Sequence, residues 1–385
     1  MELSVQKDKV AIVVVGYNRI KSLSRLLDSL LKAEYPYKNI PLVISIDASG
    51  EQSLYEYVKN FTWPYGEKYV NIQKERLGLK NHIYKCGDLT KFFKAIVLLE
   101  DDLYVSPYFY EYVLWAVENY GCDPKIAEIS LYKNESNGYV GLPFHQQEKG
   151  HDVFLMQDVS TWGECFTEQM WNEFKSWLDN HDEKDIELVD MPQAIKDWTK
   201  AWSKYYNAFV VDTNKFVLYP TIPVTTNFSD AGVHGADNNS LVQVNLLYSR
   251  KVYTYTPFED LVKYDIYFNN ESLYEWIGID KHNLTLDIYG FNDKSRQINK
   301  YLLSSRILPY QTVKGFALNL RPFEMNVALN LEGEDILIYD TTYPTRVKNN
   351  GKYTPCVLNY FFQGIWPKYL VKEALRHYLK RFFKI

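Results

Sequence analysis

Cysteine is scarce and scattered. The 385 residues hold four (Cys86, Cys122, Cys165 and Cys356), with no CxxC pair. The sequence signatures of a zinc ribbon and of a dithiol redox site are therefore absent, and a reduced, intracellular chain is the simplest expectation. No stretch approaches the roughly 18 uncharged apolar residues a spanning helix requires. The opening segment MELSVQKDKV lacks the apolar core of a secretory leader. No excess of one charge exists either. Lys plus Arg is 43 against 48 for Asp plus Glu, a net charge of −5. That balance gives no whole-surface footprint for nucleic acid, and no nucleic-acid partner is expected. No internal repeat is present.

What is there is ordinary globular composition, 46% hydrophobic and 24% charged, long enough for two or three domains. Tyr (33) and Trp (9) are abundant. Sugar sites use aromatic faces, but compositional bias and core packing are the commoner reason for any single ring.

The first block alternates strand and helix. Val10 to Val15 is a continuous β-branched run, as for a strand buried on both faces, and it ends at Gly16-Tyr17-Asn18-Arg19. Leu23, Leu26, Leu27, Leu30 and Leu31 then fall at helical spacing. Leu42 to Ile46 forms a second strand ending at Asp47, followed by a helix from Ser53 to Asn60. Tyr69 to Gln73 is a third strand, Asn81 to Cys86 begins a helix, and Ala95 to Leu99 is a fourth strand running into Glu100-Asp101-Asp102. This rhythm predicts an α/β fold with a mixed, mostly parallel sheet flanked by helices. Ligands bind such sheets at the carboxyl ends of strands, where these polar residues stand.

Farther on, the pattern predicts helices over 107–119, 167–178 and 190–206, strands over 127–131 and 217–220, and a loop over 227–240. After residue 249 the runs shorten, to 284–289, 317–320, 327–331 and 335–339. The expected division is a core domain (1–248), a smaller β-containing accessory region (249–362) and a terminal amphipathic helix (363–385). In that last segment Val371, Leu375, Tyr378, Leu379, Phe382 and Phe383 share one side. Six basic residues there face Glu373 as the only acid. Two readings fit: a helix lying on an anionic membrane surface, or one docked on the body of the protein.

Glu100-Asp101-Asp102 is the sharpest chemical signal. Carboxylates at the end of a buried strand are costly unless something positive binds, and hard oxygens suit Mg²⁺ or Mn²⁺ bridging phosphates. A solvated acidic turn is the bland alternative. Asp47 could accept hydrogen bonds from a nucleotide, or close an Asx turn. Arg19 could hold a diphosphate or stay at the surface. Asp197, between Trp198 and Trp202 in IKDWTKAW, is a candidate general base or a salt-bridged helix residue. His234 sits in a glycine-flanked loop, either reaching a metal or phosphate or simply solvated.

The ordered set VVVGYNR, ISIDASG, RLGLKNHIYKCGDL, VLLEDDLYVSPYFYEY, VSTWGE, KDWTKAW and NFSDAGVHG resembles an inverting glycosyltransferase of the GT-A fold. The resemblance spans roughly residues 8–248. It includes the N-acetylglucosaminyltransferase that initiates complex N-glycans and, more closely, the bacterial family 2-like sugar transferases of surface-polysaccharide clusters. It implies a Rossmann-like sheet and metal-dependent, inverting transfer of a hexosyl or N-acetylhexosaminyl group. The donor would be a UDP-sugar and the acceptor a saccharide or lipid-linked oligosaccharide. The cofactor would be Mn²⁺ or Mg²⁺. Apart from the resemblance, the expected location is the cytoplasm or, if the C-terminal basic helix lies on a membrane, peripherally its inner face. By position, Arg19, Asp47 and His82 would contact the nucleotide and Asp101 the sugar or ribose. Asp102 would ligate the metal, and Trp162 and Gly163 would lie near the transferred sugar. Asp197 would be the base, and His234 would approach the diphosphate. Two departures stand out: Glu164-Cys165 follow the Trp-Gly pair, and Lys200 stands where relatives carry Arg. A nucleotidyltransferase, or a binding protein that kept the fold without catalysis, remains open; the first would be expected to carry a Gly-rich phosphate loop that Gly16-Tyr17-Asn18-Arg19 matches poorly.

Overall fold

The computed structural model describes residues 3–230, 242–291, 296, 298–362 and 365–383. The chain divides into two compact units. The first covers residues up to Ser272 together with Phe291–Arg296; the second covers Leu273–Gly290 and the residues from 297 onward.

The first unit runs β1 (Gln6–Gly16), α1 (Ile20–Leu31), β2 (Leu42–Ile46), α2 (Gln52–Asn60), β3 (Lys68–Ile72), α3 (Gly78–Gly87), β4 (Phe93–Glu100), β5 (Leu103–Val105), α4 (Phe109–Tyr120) and β6 (Ile126–Ser130). It continues through a two-residue ribbon, β7 (Ser136–Asn137) with β8 (Leu142–Pro143), to β9 (Val153–Met156), β10 (Glu164–Thr167), α5 (Glu168–Asp179), α6 (Glu183–Leu188), α7 (Gln193–Lys196), α8 (Trp202–Asp212), β11 (Phe216–Pro220), β12 (Thr225–Asn227) and β13 (Lys263–Tyr264). Nine strands make one sheet in the order β13-β9-β11-β6-β10-β4-β1-β2-β3. It is mostly parallel, as expected, with β10 inserted antiparallel between β4 and β6. Val10 to Val14 are at most 1% exposed, which is why a run without polar alternation is stable here. Leu23, Leu26, Leu27 and Leu30 bury one stripe of α1.

Register positions the site. Val15 pairs with Glu100 and Gly16 with Ile46. Because these strands are parallel, Tyr17–Arg19, Asp47 and Asp101–Asp102 leave the sheet along one edge. β10 runs the other way, with Glu164 opposite Leu98. The Trp162-Gly163 turn therefore enters at that same edge.

The second unit holds α9 (Leu273–Ile277), β14 (Leu284–Asp287), β15 (Tyr301–Ser304), β16 (Tyr310–Phe316), α10 (Met325–Ala328), β17 (Ile336–Pro344), α11 (Pro355–Phe362) and α12 (Pro367–Phe383). Its four strands pair in the order β14-β15-β17-β16.

Several expectations need correction. The helix expected over 190–206 is broken: α7 stops at Lys196 and α8 starts at Trp202, with Ala201 in extended backbone between them. Residues 327–331 are not a strand, since α10 covers the first of them. Residues 317–320 form no strand either. The fully buried Asn326 accepts from the N–H groups of Asn319 and Leu320 and donates to the carbonyls of Leu320 and Phe323, so a side chain satisfies backbone groups that a ladder would otherwise need. The unit boundary falls after Ser272 rather than at 248. Tyr253 stacks on Trp115 of α4 at 5.0 Å, the Tyr120 hydroxyl donates to the Thr256 carbonyl at 2.7 Å, and β13 extends the main sheet alongside β9.

Candidate active site

The carboxyl edge of β1, β2 and β4 opens into a cleft of about 840 Å³, within the usual range for small-molecule sites. Arg19 lines it. Its Nε donates to Asp101 Oδ2 at 3.3 Å, and its Nη2 bonds Asp101 Oδ1 and reaches Asp102 Oδ2 at 3.1 Å. Asp101 is 4% exposed. Burial pushes its carboxyl up to about 6, against the opposing pull of Arg19. Burial, then Asp102 and Asp101, also raise Glu100. Three acids thus face one guanidinium.

Asp47 lines the cleft, but its carboxylate is engaged locally. Oδ1 accepts from the N–H groups of Ala48 and Leu77, both at 2.9 Å, and Oδ2 from Gly78 N–H at 3.0 Å. It ties the end of β2 to the first turn of α3 instead of closing an Asx turn, since Ser49 N–H donates to the Tyr55 hydroxyl, and it keeps lone pairs for a ligand. His82, on α3, is buried with its Nε2 2.7 Å from Ser45 Oγ. Burial pushes its imidazole down to about 4, with Asp47 opposing. The folded protein therefore binds this proton less readily than the unfolded chain. The resulting stability is fully present above pH 6.5 and is lost as pH falls toward 4. We expect the stability advantage of the native protein over His82→Gln to shrink by about 2 kcal/mol between pH 7 and pH 5, read by urea denaturation. An unchanged difference would show that His82 titrates normally.

The facing wall comes from the Trp162 turn and the α7–α8 break. Gly163 has φ +107°, and a Cβ there would stand 3.0 Å from Thr225 Cγ2 and Oγ1, so only glycine fits this turn without strain. The Trp162 carbonyl accepts from the Thr225 hydroxyl at 2.6 Å, and its ring packs edge-on against Tyr132 at 4.7 Å. Asp197, exposed at the end of α7, accepts from Gln193 Nε2 at 2.9 Å and lines the cleft with Trp198 and Lys200. The expected site residues other than Gly163 and His234 thus share one cleft, and Gly163 adjoins it. His234 lies outside the described residues.

Two contributors were not read from the sequence. Arg76 lines the cleft, its guanidinium 5.0 Å above the Tyr17 ring. Asp230 is held there by an ion pair with Arg25 and by Arg19 Nη1, which donates to its carbonyl at 3.4 Å. That loop follows β12, which pairs with β5 immediately after Asp102. Isolated charged residues on loops carry no spacing signal, so only the pairing reveals them. Trp202, which the sequence sets near Asp197, also lines the cleft, and its buried indole N–H has no hydrogen-bond partner among the described residues.

Among the described residues, no group of three or more His, Cys, Asp or Glu side chains could hold a metal ion. A Mg²⁺ or Mn²⁺ ion that shares diphosphate oxygens and waters needs only one or two protein carboxylates. Asp102, open to the cleft and beside surplus negative charge, fits that requirement.

Behind the cleft, Glu128 of β6 and Glu164 of β10 are fully buried, and neither carboxyl bonds another residue among those described. Burial raises both far above the usual carboxylate range. That burial disfavours the charged form of both, and Glu164 adjoins the Trp162-Gly163 turn.

No family model matches the chain, and no curated protein does. Solved structures do. The first 349 residues of S. aureus TarS, in complex with UDP-GlcNAc, match at 13% identity and a TM-score of 0.40, covering 59% of this chain and 60% of that one. GalNAc-T7 with UDP, GalNAc and Mn²⁺ matches at 14% identity and 0.38, over 55% and 42%. The mannosyltransferase PcManGT from Pyrobaculum calidifontis, with GDP-Man and Mn²⁺, matches at 13% identity and 0.35, over 56% and 57%. The chain thus spans less than two thirds of each of these structures.

Proposed function

We propose that the chain is an inverting, metal-dependent glycosyltransferase that moves a hexosyl or N-acetylhexosaminyl group from a UDP-sugar to a saccharide acceptor in bacterial surface-polysaccharide synthesis. One observation carries this reading. The acids that end β4, the arginine that follows β1 and the Asp197-Trp198 break between two helices all line a single cleft. An α/β sheet with a ligand cleft at its strand ends is where a nucleotide is expected.

The residues divide the work. The Asp47–α3 junction and Arg76 frame the nucleotide. Asp102 would hold a divalent cation, which when bound would supply positive charge against the diphosphate. The acceptor hydroxyl attacks the anomeric carbon from the face opposite the leaving nucleoside diphosphate, which departs with the electrons of the broken C–O bond. Asp197 takes the hydroxyl proton. Trp162 and Trp198 offer flat apolar faces to sugar rings.

The test is calorimetric titration of UDP with and without Mn²⁺, followed by NMR of the product formed from a panel of UDP-sugars. Metal-dependent binding and a product of opposite anomeric configuration are expected. Absence of UDP binding in both conditions, or retention of configuration, would reject the reading as stated.

A further inference from the structure

We propose that α12 docks the protein on an anionic lipid surface, lying in the plane of the headgroups. The inference stands apart from the transferase reading, because surface binding is measured without turnover.

From Trp366 through Leu379, the helix and the residues leading into it keep large apolar side chains in solvent. Trp366 is 67% exposed, Val371 and Leu375 58% each, and Leu379 55%. Such exposure over successive turns is unusual for a helix of a globular protein, which normally buries its apolar stripe. Val371 and Leu375 lie one turn apart. Lys368, Lys372 and Arg376 follow the same four-residue spacing on an adjoining strip. Glu373 is the one acid between Pro367 and Phe383, and it sits 3.6 Å from Arg376. Lys368 also lies 5.2 Å from the Trp366 ring and 5.0 Å from the Tyr369 ring. Aromatic rings beside lysines at the start of a helix suit the headgroup level of a bilayer.

Length and charge choose the occupant. No described helix is long and apolar enough to cross a membrane, so α12 would lie on the surface rather than span it. A second copy of the chain would set one basic strip against another. An anionic lipid surface meets both faces at once, taking the apolar stripe into the acyl boundary and the cations onto the headgroups.

The experiment is co-sedimentation of the full chain with vesicles of three parts phosphatidylcholine to one part phosphatidylglycerol, and with vesicles of phosphatidylcholine alone. Binding to the anionic vesicles only, weakening with salt, is expected. Lys368→Glu/Lys372→Glu/Arg376→Glu should reduce partition by on the order of a hundredfold or more, and Val371→Glu/Leu375→Glu should abolish it. Because these side chains are in solvent, both variants should keep the native melting temperature and the native response to UDP. Failure of the native protein to bind anionic vesicles, or equal binding by the Val371/Leu375 variant, would overturn the proposal. So would a native dimer that this variant turns into a monomer, with no vesicle binding by either.

Discussion

Asp197→Asn is expected to lower sugar transfer by about a hundred- to ten-thousand-fold while leaving UDP affinity within about twofold. The amide keeps the shape of the carboxyl, so the wall of the cleft should not move. What it loses is the ability to take a proton. Gln193, which donates to Asp197 Oδ1, can still bond the amide oxygen. The cost should therefore fall on kcat rather than on KM, the signature of a group that acts in the transition state. Steady-state kinetics with calorimetry of UDP separates the outcomes. Unchanged transfer would remove Asp197 from the role of base. Equal loss of transfer and UDP binding would make it a structural residue of the α7–α8 break.

Asp102→Asn should have a comparable effect by another route. Binding of UDP should lose its response to Mn²⁺, and transfer should fall by about a thousandfold. The fold should tolerate the change, because Arg19 keeps Asp101 as its main partner through two hydrogen bonds. A melting temperature near the native value, with a flat Mn²⁺ response in calorimetry, is the expected pair of results. Retention of the Mn²⁺ response would move the metal to Glu100 or Asp101.

Much of this site was legible because its residues sit at the ends of strands that announce themselves. Val10–Val15, Leu42–Ile46 and Ala95–Leu99 are largely apolar runs too short for helices, and polar residues follow each: Asn18-Arg19 just beyond Gly16-Tyr17, Asp47, and Glu100. β10 was not legible. Glu-Cys-Phe-Thr opens with a carboxyl, and a fully buried glutamate contradicts every pattern used to find strands. Its burial pushes the Glu164 carboxyl well above the usual carboxylate range, an environment that no local pattern announces. The α7–α8 break was hidden for the opposite reason. Residues 190–206 contain many good helix formers, and propensity cannot show that Asp197–Ala201 turn aside to line the cleft. Residues 249–272 look like the start of a new region because their runs are short. The Tyr253 ring and the Thr256 carbonyl, which accepts from the Tyr120 hydroxyl, attach them to the first unit through partners over a hundred residues earlier. Arg76 and Asp230 belong to the same class, being placed by pairing between distant segments.

The antiparallel insertion of β10 also bears on how the protein comes to be made. β4 gains its second neighbour only when residues 164–167 arrive, and β6 gains its other partner only from residues 216–218. The central hydrogen-bond ladders thus close over long loops, whose entropy must be spent before pairing repays it. During synthesis, the edge of β4 is bare while the chain grows past the acidic triplet, and an unpaired apolar edge is a template for wrong partners. The cleft completes later still: β10 brings the Trp162 turn to the end of β4, and the walls from residues 197–203 and 227–230 follow it in the chain. A fragment ending before residue 160 would hold the acids and Arg19 without the wall that faces them, and it would be prone to aggregate rather than to act as half an enzyme.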